Sequence, residues 1–492
     1  MPEPTVAARS FAAALRVLQA APLDPLDRGL PLTYGSTTPG PPAPPTGRPA
    51  TRPGVGPLSE AIQAQRRGAT SSVELVERAL RAIEDHNATL SAMVEVQPAK
   101  ALAEAARADD DRAAGRWRGP LHGIPVSVKD IIDVAGYTTR AGSLAYERRA
   151  EHAAAAVSLL RRAGAVIIGK ASTHEFALGV TTPQSRNPFD PERIPGGSSG
   201  GSAISVATGM ALASLGTDTR ASIRVPAALS GVVGLKATHG RIPISGIVSL
   251  SWTMDHVAPM AATVADAGLM LEALLGGCRV DLDAPLPAGL RVGVPEAALL
   301  GADVGVVEAV EAAVASLVAA AQGRSCPLAV PGIEDLELAS AAGLIVSRCE
   351  AAAAHRSLGL DRSKYWDEVA EQLHAADSVR AVDYLDAQRQ RGQLAERLLG
   401  CFDEADLLAM PTALTVAPLA SDYERHLMTL ARNAIPWSLV GFPAISVPAG
   451  LVSGLPVGLQ LVAPPHREDL LLAAARAVEE EVGLLTPMAL GA

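Results

Sequence analysis

The sequence predicts an α/β protein whose helices cover both faces of a sheet. Three observations carry that expectation. Apolar residues make up 48% of the 492 and charged residues only 19%, enough to bury a large core. Short β-branched runs alternate with amphipathic stretches from Leu58 to the C-terminus. No second Pro/Gly-rich stretch interrupts that alternation after the first 57 residues, so residues 58–492 are expected to form one large domain. Aromatics are 3%, which leaves Ala, Val, Leu and Ile to fill the interior.

Residues 1–57 read as an extension. Thr5–Ala21 places Phe11, Leu15 and Leu18 on one helical face, and a frayed terminal arm is expected there rather than a docked helix. Residues 37–57, TTPGPPAPPTGRPATRPGVGP, read as an extended linker. Beyond it, Ser72–Asn87 is amphipathic, with Ser71 or Ser72 as its cap. Ala99–Ala114 follows as a helix with Pro98 suited to its first turn. Ile124–Ile132 alternates as a strand does. Ala153–Ala163 is helical, and Ala165–Ile168 is a short apolar strand. Gly201–Met210 reads as a helix, with Ala211–Leu215 leading into another strand. A strand at Leu290–Pro295 precedes helical segments at 306–322, 338–358 and 377–400. Leu407–Met410, Ala444–Val447 and Val457–Val462 are strand-like, and Glu468–Val482 is the closing helix.

Charge and motif content exclude several classes of function. The net charge of −10 argues against nucleic acid, whose phosphates need a basic surface. No run reaches the roughly 18 uninterrupted apolar residues of a membrane span, and the start lacks a positively charged leader. Cys278, Cys326, Cys349 and Cys401 have no C-x-x-C spacing, so neither a metal ribbon nor a disulfide framework is expected and a cytoplasmic setting is. Gly164-Ala-Val-Ile-Ile-Gly169-Lys170-Ala171 approaches a phosphate-binding loop. It lacks the Ser/Thr that would hold magnesium, and its middle is strand-like. His174-Glu175 begins like a zinc-binding helix, but Leu178 stands where the second histidine belongs. Neither a metal nor an organic cofactor is expected.

Three stretches carry chemistry. Pro195-Gly-Gly-Ser-Ser-Gly-Gly-Ser202 admits three readings: a flexible linker, an anion-binding loop before a helix, or a catalytic serine loop. Gly196–Gly200 also fits the G-x-S-x-G elbow, which would make Ser198 the nucleophile and would need a histidine such as His239 or His355. The second stretch, Gly119–Asp130, puts Ser127 and Lys129 on one strand face and Val126 and Val128 on the other. Its apolar, Gly/Pro-bounded setting looks central. Burial disfavours a charged amine, and a neutral lysine can act as a general base. In the third, Gly216–Ala227, a turn of small and polar residues presents Ser222 after consecutive backbone N–H groups, a plausible nucleophile with its own oxyanion site.

Taken together, PLHGIPVSVKDIIDVAG, PGGSSGGSA, GTDTRASIRVPA and GVVGLKATHGR resemble the amidase signature family of serine amidases. KASTHEFALG, LLAMPT and WSLVGFPAISVPAGLVSGLPVGLQLVA extend the resemblance from about Leu58 to the C-terminus, leaving 1–57 uncovered. It implies a large central twisted mixed β-sheet flanked by α-helices on both faces. It further implies Lys129 as base, Ser198 as proton relay after a cis peptide bond, and Ser222 as nucleophile. Ser199, Thr219, Arg220 and Ala221 are implied in the oxyanion or substrate site. The substrate implied is a small-molecule amide, with a homodimer as the assembly.

Two positions depart from the family pattern. Arg220-Ala221 stands where Gly-Gly, or Gly and a small residue, is usual. If position 220 needs φ > 0, arginine carries a backbone penalty there and the oxyanion site is distorted. Alternatively, its planar fork selects a substrate anion. Ser172 replaces a frequent Asn, without an assigned role. Arg224 and Trp437 lie beside family motifs, where site lining, core packing and a structural salt bridge are all open. The competing functions are a glutaminase-type component of an amidotransferase and a catalytically silent binding or scaffold protein.

Overall fold

The computed structural model describes residues 6–21, 23, 56–276 and 280–487. Eleven strands form one mixed sheet. In chain order the strands are β1 (Met93–Val96), β2 (Pro125–Lys129), β3 (Thr138–Thr139), β4 (Arg148–Arg149), β5 (Val166–Ala171), β6 (Ala213–Asp218), β7 (Val233–Lys236), β8 (His256–Ala261), β9 (Arg291–Pro295), β10 (Arg324–Leu328), β11 (Leu407–Pro411), β12 (Ala444–Val452) and β13 (Leu455–Val462). Across the sheet they run β1-β5-β2-β6-β8-β7-β12-β13-β11-β9-β10, while β3 and β4 pair separately. β5, β2 and β6 are mutually parallel, as are β10, β9 and β11; antiparallel pairings link the two groups.

β2 lies between β5 and β6, and all five of its residues are buried. That position explains its near-continuous apolar sequence, since both of its faces are covered. The carboxyl ends of β2, β5 and β6 come together at one sheet edge, where open α/β sheets place their ligand sites. The Gly200–Ala207 helix packs beside them, and its small residues allow close approach. A Cβ on Gly201 would sit 2.4 Å from Ser172 Oγ and 2.5 Å from Ala92 O. Ser172 donates to Ser91 O at 2.8 Å, so it fixes this seam rather than facing a ligand.

Helix starts follow their local chemistry. Ser71 caps Ser72–Leu90 by accepting from Glu74 N at 3.1 Å, and Glu74 returns the bond to Ser71 N at 2.9 Å. Pro98 opens Pro98–Ala113, where its missing N–H costs nothing. The closing helix spans Glu468–Val482 as expected. Segments without strong periodicity escaped the sequence reading, among them β1, β7, β8, β10 and the Val264–Leu274 helix. β7 and β8 are buried throughout, so they lack the polar alternation that would betray them.

The frayed-arm expectation for the N-terminus is corrected. Val6–Ala20 is a helix packed against the Ile333–Leu358, Asp367–Asp377 and Ala381–Glu404 helices. Phe11, Ala14 and Leu18 are buried there, at the spacing of one helical face. Burying one such large side chain contributes about 1.5–3 kcal/mol toward holding the helix in place. Most of the 37–57 linker lies outside the described residues. Its last residue, Pro57, instead begins the Pro57–Arg66 helix.

Candidate active site

Lys129 ends β2 with no exposed surface. Its side chain shares a face with Ser127, whose hydroxyl contacts Ser205 and Ser214 Oγ at 2.8 Å each. The Lys129 amine therefore reaches toward the start of the Gly200–Ala207 helix. There Nζ donates to Ser198 Oγ at 2.7 Å, Ser199 Oγ at 2.8 Å and Thr217 Oγ1 at 2.9 Å. All three partners are neutral hydroxyls. Burial pulls the Lys129 pKa down to about 7, against the opposing pull of the Asp218 and Asp255 carboxylates. A substantial neutral fraction at physiological pH follows, as a general base requires.

Ser198 follows a cis Gly197–Ser198 bond. Gly197 is needed by close approach: a Cβ there would lie 2.1 Å from Thr181 O. The Ser198 carbonyl accepts from His174 N and from Thr182 Oγ1, both at 3.3 Å. Ser199 donates from its hydroxyl to Thr217 O at 3.1 Å and from its N–H to Ser222 O at 3.2 Å. That last bond ties the Ser198 loop to the turn carrying Ser222. The structure thus joins Lys129, Ser198 and Ser199 directly, and Ser222 through the main chain. Ser222 is not among the hydrogen-bond partners of Lys129.

Thr219, Arg220, Ala221 and Ser222 follow β6. Their four backbone N–H groups donate to no acceptor among the described residues. Donors left free on a buried turn can hold an oxyanion. Two carboxylates brace the turn. Thr219 Oγ1 donates to Asp255 Oδ1 at 2.6 Å, and Asp255 also accepts from Ser249 Oγ and from Leu250 and Ser251 N–H. Burial lifts Asp255 to about 6, against those hydrogen bonds. Asp218 accepts Ile223 N at 3.2 Å and pairs with Arg224 at 3.0 Å. Burial would raise the Asp218 pKa, but Arg224, Lys236 and Ser438 together hold the carboxyl below its ordinary value.

Arg224 is fully buried; it also donates to Ala434 O and Gln460 Oε1, so it is a structural ion pair. Trp437 is fully buried beside Phe442, in the core. Arg220 is not among the residues with positive φ, so the expected backbone penalty does not arise. Its side chain turns onto the Ile333–Leu358 helix and donates to Ser340 O at 3.4 Å.

The competing motifs find other uses. Lys170, in the near match to a phosphate loop, ends up buried in β5 against Asp130 at 2.9 Å. His174 Nε2 lies 2.6 Å from Glu368. His355 is held by Tyr365 at 2.8 Å, and His239 packs on the His256 ring. Neither His239 nor His355 joins Ser198, so the elbow arrangement lacks its histidine. Among the described residues, no three His, Cys, Asp or Glu side chains gather as a metal site, and no helix is long and apolar enough to cross a membrane. Sequence reasoning missed Thr217 and Asp255. Thr217 sits inside the GTDT run already singled out; Asp255 lies in a stretch without periodicity.

A family model described as Amidase matches residues 74–472. The chain belongs to the amidase family. An amidase of Pseudomonas putida is 38% identical over 423 residues, covering 80% of this chain and 89% of the relative. A component of the glutamyl-tRNA(Gln) amidotransferase of Chloroflexus aurantiacus (strain ATCC 29366 / DSM 635 / J-10-fl) is 35% identical over 451 residues, covering 82% and 92%. A solved amidase structure superposes with a TM-score of 0.80 at 34% identity, over 87% of this chain and all of that one. Membership accounts for the large mixed sheet and sets amide hydrolysis as the chemistry against which the site is read.

Proposed function

We propose that this amidase-family protein cleaves a small-molecule carboxamide to an acid and ammonia or an amine through an acyl-enzyme on Ser222. The observation that carries the reading is the 2.7 Å contact to Ser198 Oγ from a buried lysine that, among the described residues, has no carboxylate at contact distance. Serine is a weak nucleophile until a base takes its proton. Neutral Lys129 takes the Ser198 proton as Ser198 takes that of Ser222. The Ser222 oxygen bonds to the amide carbon, and the carbonyl electron pair moves onto oxygen. N–H groups of 219–222 stabilise that oxyanion. Its collapse breaks the C–N bond, and the proton returns through Ser198 to the leaving nitrogen. Water then attacks the ester by the same relay and releases the acid.

The test is labelling with a fluorophosphonate probe and peptide mass mapping, which needs no known substrate. Label is expected on Ser222, absent in Ser222→Ala and strongly slowed in Lys129→Ala. A protein that takes no label overturns the reading. Label on Ser198 instead overturns the assignment of nucleophile and relay. The amidotransferase relative supports a second reading, a glutaminase working inside an assembly. Glutamine hydrolysis that appears only with added partner proteins would favour it. A cytoplasmic location suits either reading.

A further inference from the structure

Among the described residues, two arginines near the site have no acid to answer them. Arg220 stands two residues before Ser222 and lies over the Ile333–Leu358 helix. Its Nη2 donates to the main-chain carbonyl of Ser340, and its buried Nε has no acceptor among the described residues. Gly343 lies beneath it, where a Cβ would make ordinary contact with Arg220 Nε at 3.9 Å. Further along the same helix is Arg348, buried, with neutral acceptors only. These are Gln372 Oε1 at 2.6 Å, Ser347 Oγ at 3.2 Å and Leu178 O at 3.3 Å. Leu178 closes the turn after His174, whose N–H holds the Ser198 carbonyl. One arginine therefore belongs to the loop of Ser222, and the other braces a turn attached to the loop of Ser198.

Two other buried cations are answered by acids, whereas buried Lys129 and Lys236 meet neutral acceptors. Arg224 pairs with Asp218, and Lys170 with Asp130. Among the described residues, Arg220 and Arg348 have no carboxylate within ion-pair distance. Burial lowers Arg220 to about 10, with nothing opposing; burial and the repulsion of Arg220 lower Arg348 to about 9, with only Glu368 opposing. Glu368 is itself bound to His174. A buried and a partly buried like charge side by side, without counter-charge, are costly. A ligand anion relieves both the desolvation and the repulsion, and the guanidinium fork matches a carboxylate.

We propose that Arg220 and Arg348 form a carboxylate-recognition pair, so that the substrates are amides bearing a carboxylate beyond the scissile carbonyl. The proposal rests on the reading of Ser222 as the acylated residue. The experiment measures how linear monoamides of dicarboxylic acids, of increasing chain length, protect Ser222 from the fluorophosphonate. Neutral monoamides of equal carbon number are the reference. At least one anionic amide is expected to protect at about ten- to a hundredfold lower concentration than its neutral match, since charged hydrogen bonds are the stronger ones. Arg348→Gln and, separately, Arg220→Gly are expected to erase most of that ratio. Equal or better protection by the neutral amides overturns the proposal, and that comparison needs no variant to fold. A ratio preserved in both variants, each confirmed folded by its melting temperature, also overturns it. Absence of labelling in every sample is a distinct result and overturns the acyl-enzyme reading itself.

Discussion

Lys129 and Lys170 are neighbours on adjacent parallel strands, both without exposed surface, yet they do opposite work. Val128 is in register with Lys170, so the two lysines project from opposite faces of the sheet. On one face Lys129 meets three hydroxyls. On the other, Lys170 meets the Asp130 carboxylate at 2.9 Å and Thr139 Oγ1 at 3.0 Å. Burial alone pushes either amine toward its neutral form. Burial lowers the pKa of the Lys170 amine as well, with Asp130 opposing it at contact distance. A carboxylate at contact distance favours the ammonium and makes a structural ion pair. Hydroxyls accept hydrogen bonds but supply no charge, and leave an amine that can take a proton. On the proposed mechanism, Lys129 can serve as the base because no carboxylate sits at contact distance among the described residues.

Three experiments break or sharpen that contrast. The largest effect is expected at Lys129. Lys129→Met should lower kcat/KM by at least about a thousandfold, at the upper range for general-base removal, with the fold retained. Activity within tenfold of wild type would remove Lys129 from the mechanism. Next comes Lys170→Met, which should act on stability. Leaving Asp130 as an unpaired buried charge is expected to cost about 3–5 kcal/mol in urea unfolding. Adding Asp130→Leu should recover much of that loss, because the uncompensated charge is then gone. Loss of activity without loss of stability in Lys170→Met would show that the two lysines are not separated in this way.

The smallest effect is a pH dependence. The base works unprotonated, so kcat/KM should fall tenfold per pH unit below an apparent pKa near 7, and level off above it. Asp255, lifted to about 6, takes a second proton further down and loosens its hold on Thr219. The limb should therefore steepen toward a slope of two below that pH. In Asp255→Asn the steeper part should vanish while the limb near 7 persists. A profile flat from pH 5 to 8 would mean that no group with the character of Lys129 gates the reaction.

Much of this is legible from residues alone. Periodicity locates the Ser72–Leu90 and Glu468–Val482 helices and the strand that carries Lys129, because spacing along the chain controls which face is buried. The apolar surroundings of Lys129 already predict burial, and the Gly-Gly-Ser-Ser loop and the turn before Ser222 carry recognisable chemistry. Elsewhere local signals mislead. The glycine-lysine run ending at Ala171 imitates a phosphate loop, and the N-terminal helix looks like a free arm. Its apolar face is visible, but the three helices that cover it begin more than 300 residues away. Arginine in place of a small residue suggests backbone strain at position 220, and φ there is ordinary.

By itself, then, the sequence pointed to the α/β class and marked Lys129, Ser198 and Ser222 as candidates through motifs that resemble a family's. Those properties depend on residue type and short-range spacing. Tertiary structure alone decided that Lys129 keeps company with hydroxyls while Lys170 meets an acid. It also decided that Arg224 is answered by Asp218, and that among the described residues Arg220 and Arg348 lack a counter-charge. The physical reason is that proton affinity follows dielectric and charge within a few ångströms. Those neighbours are drawn from positions up to several hundred residues apart, an arrangement that no periodicity encodes.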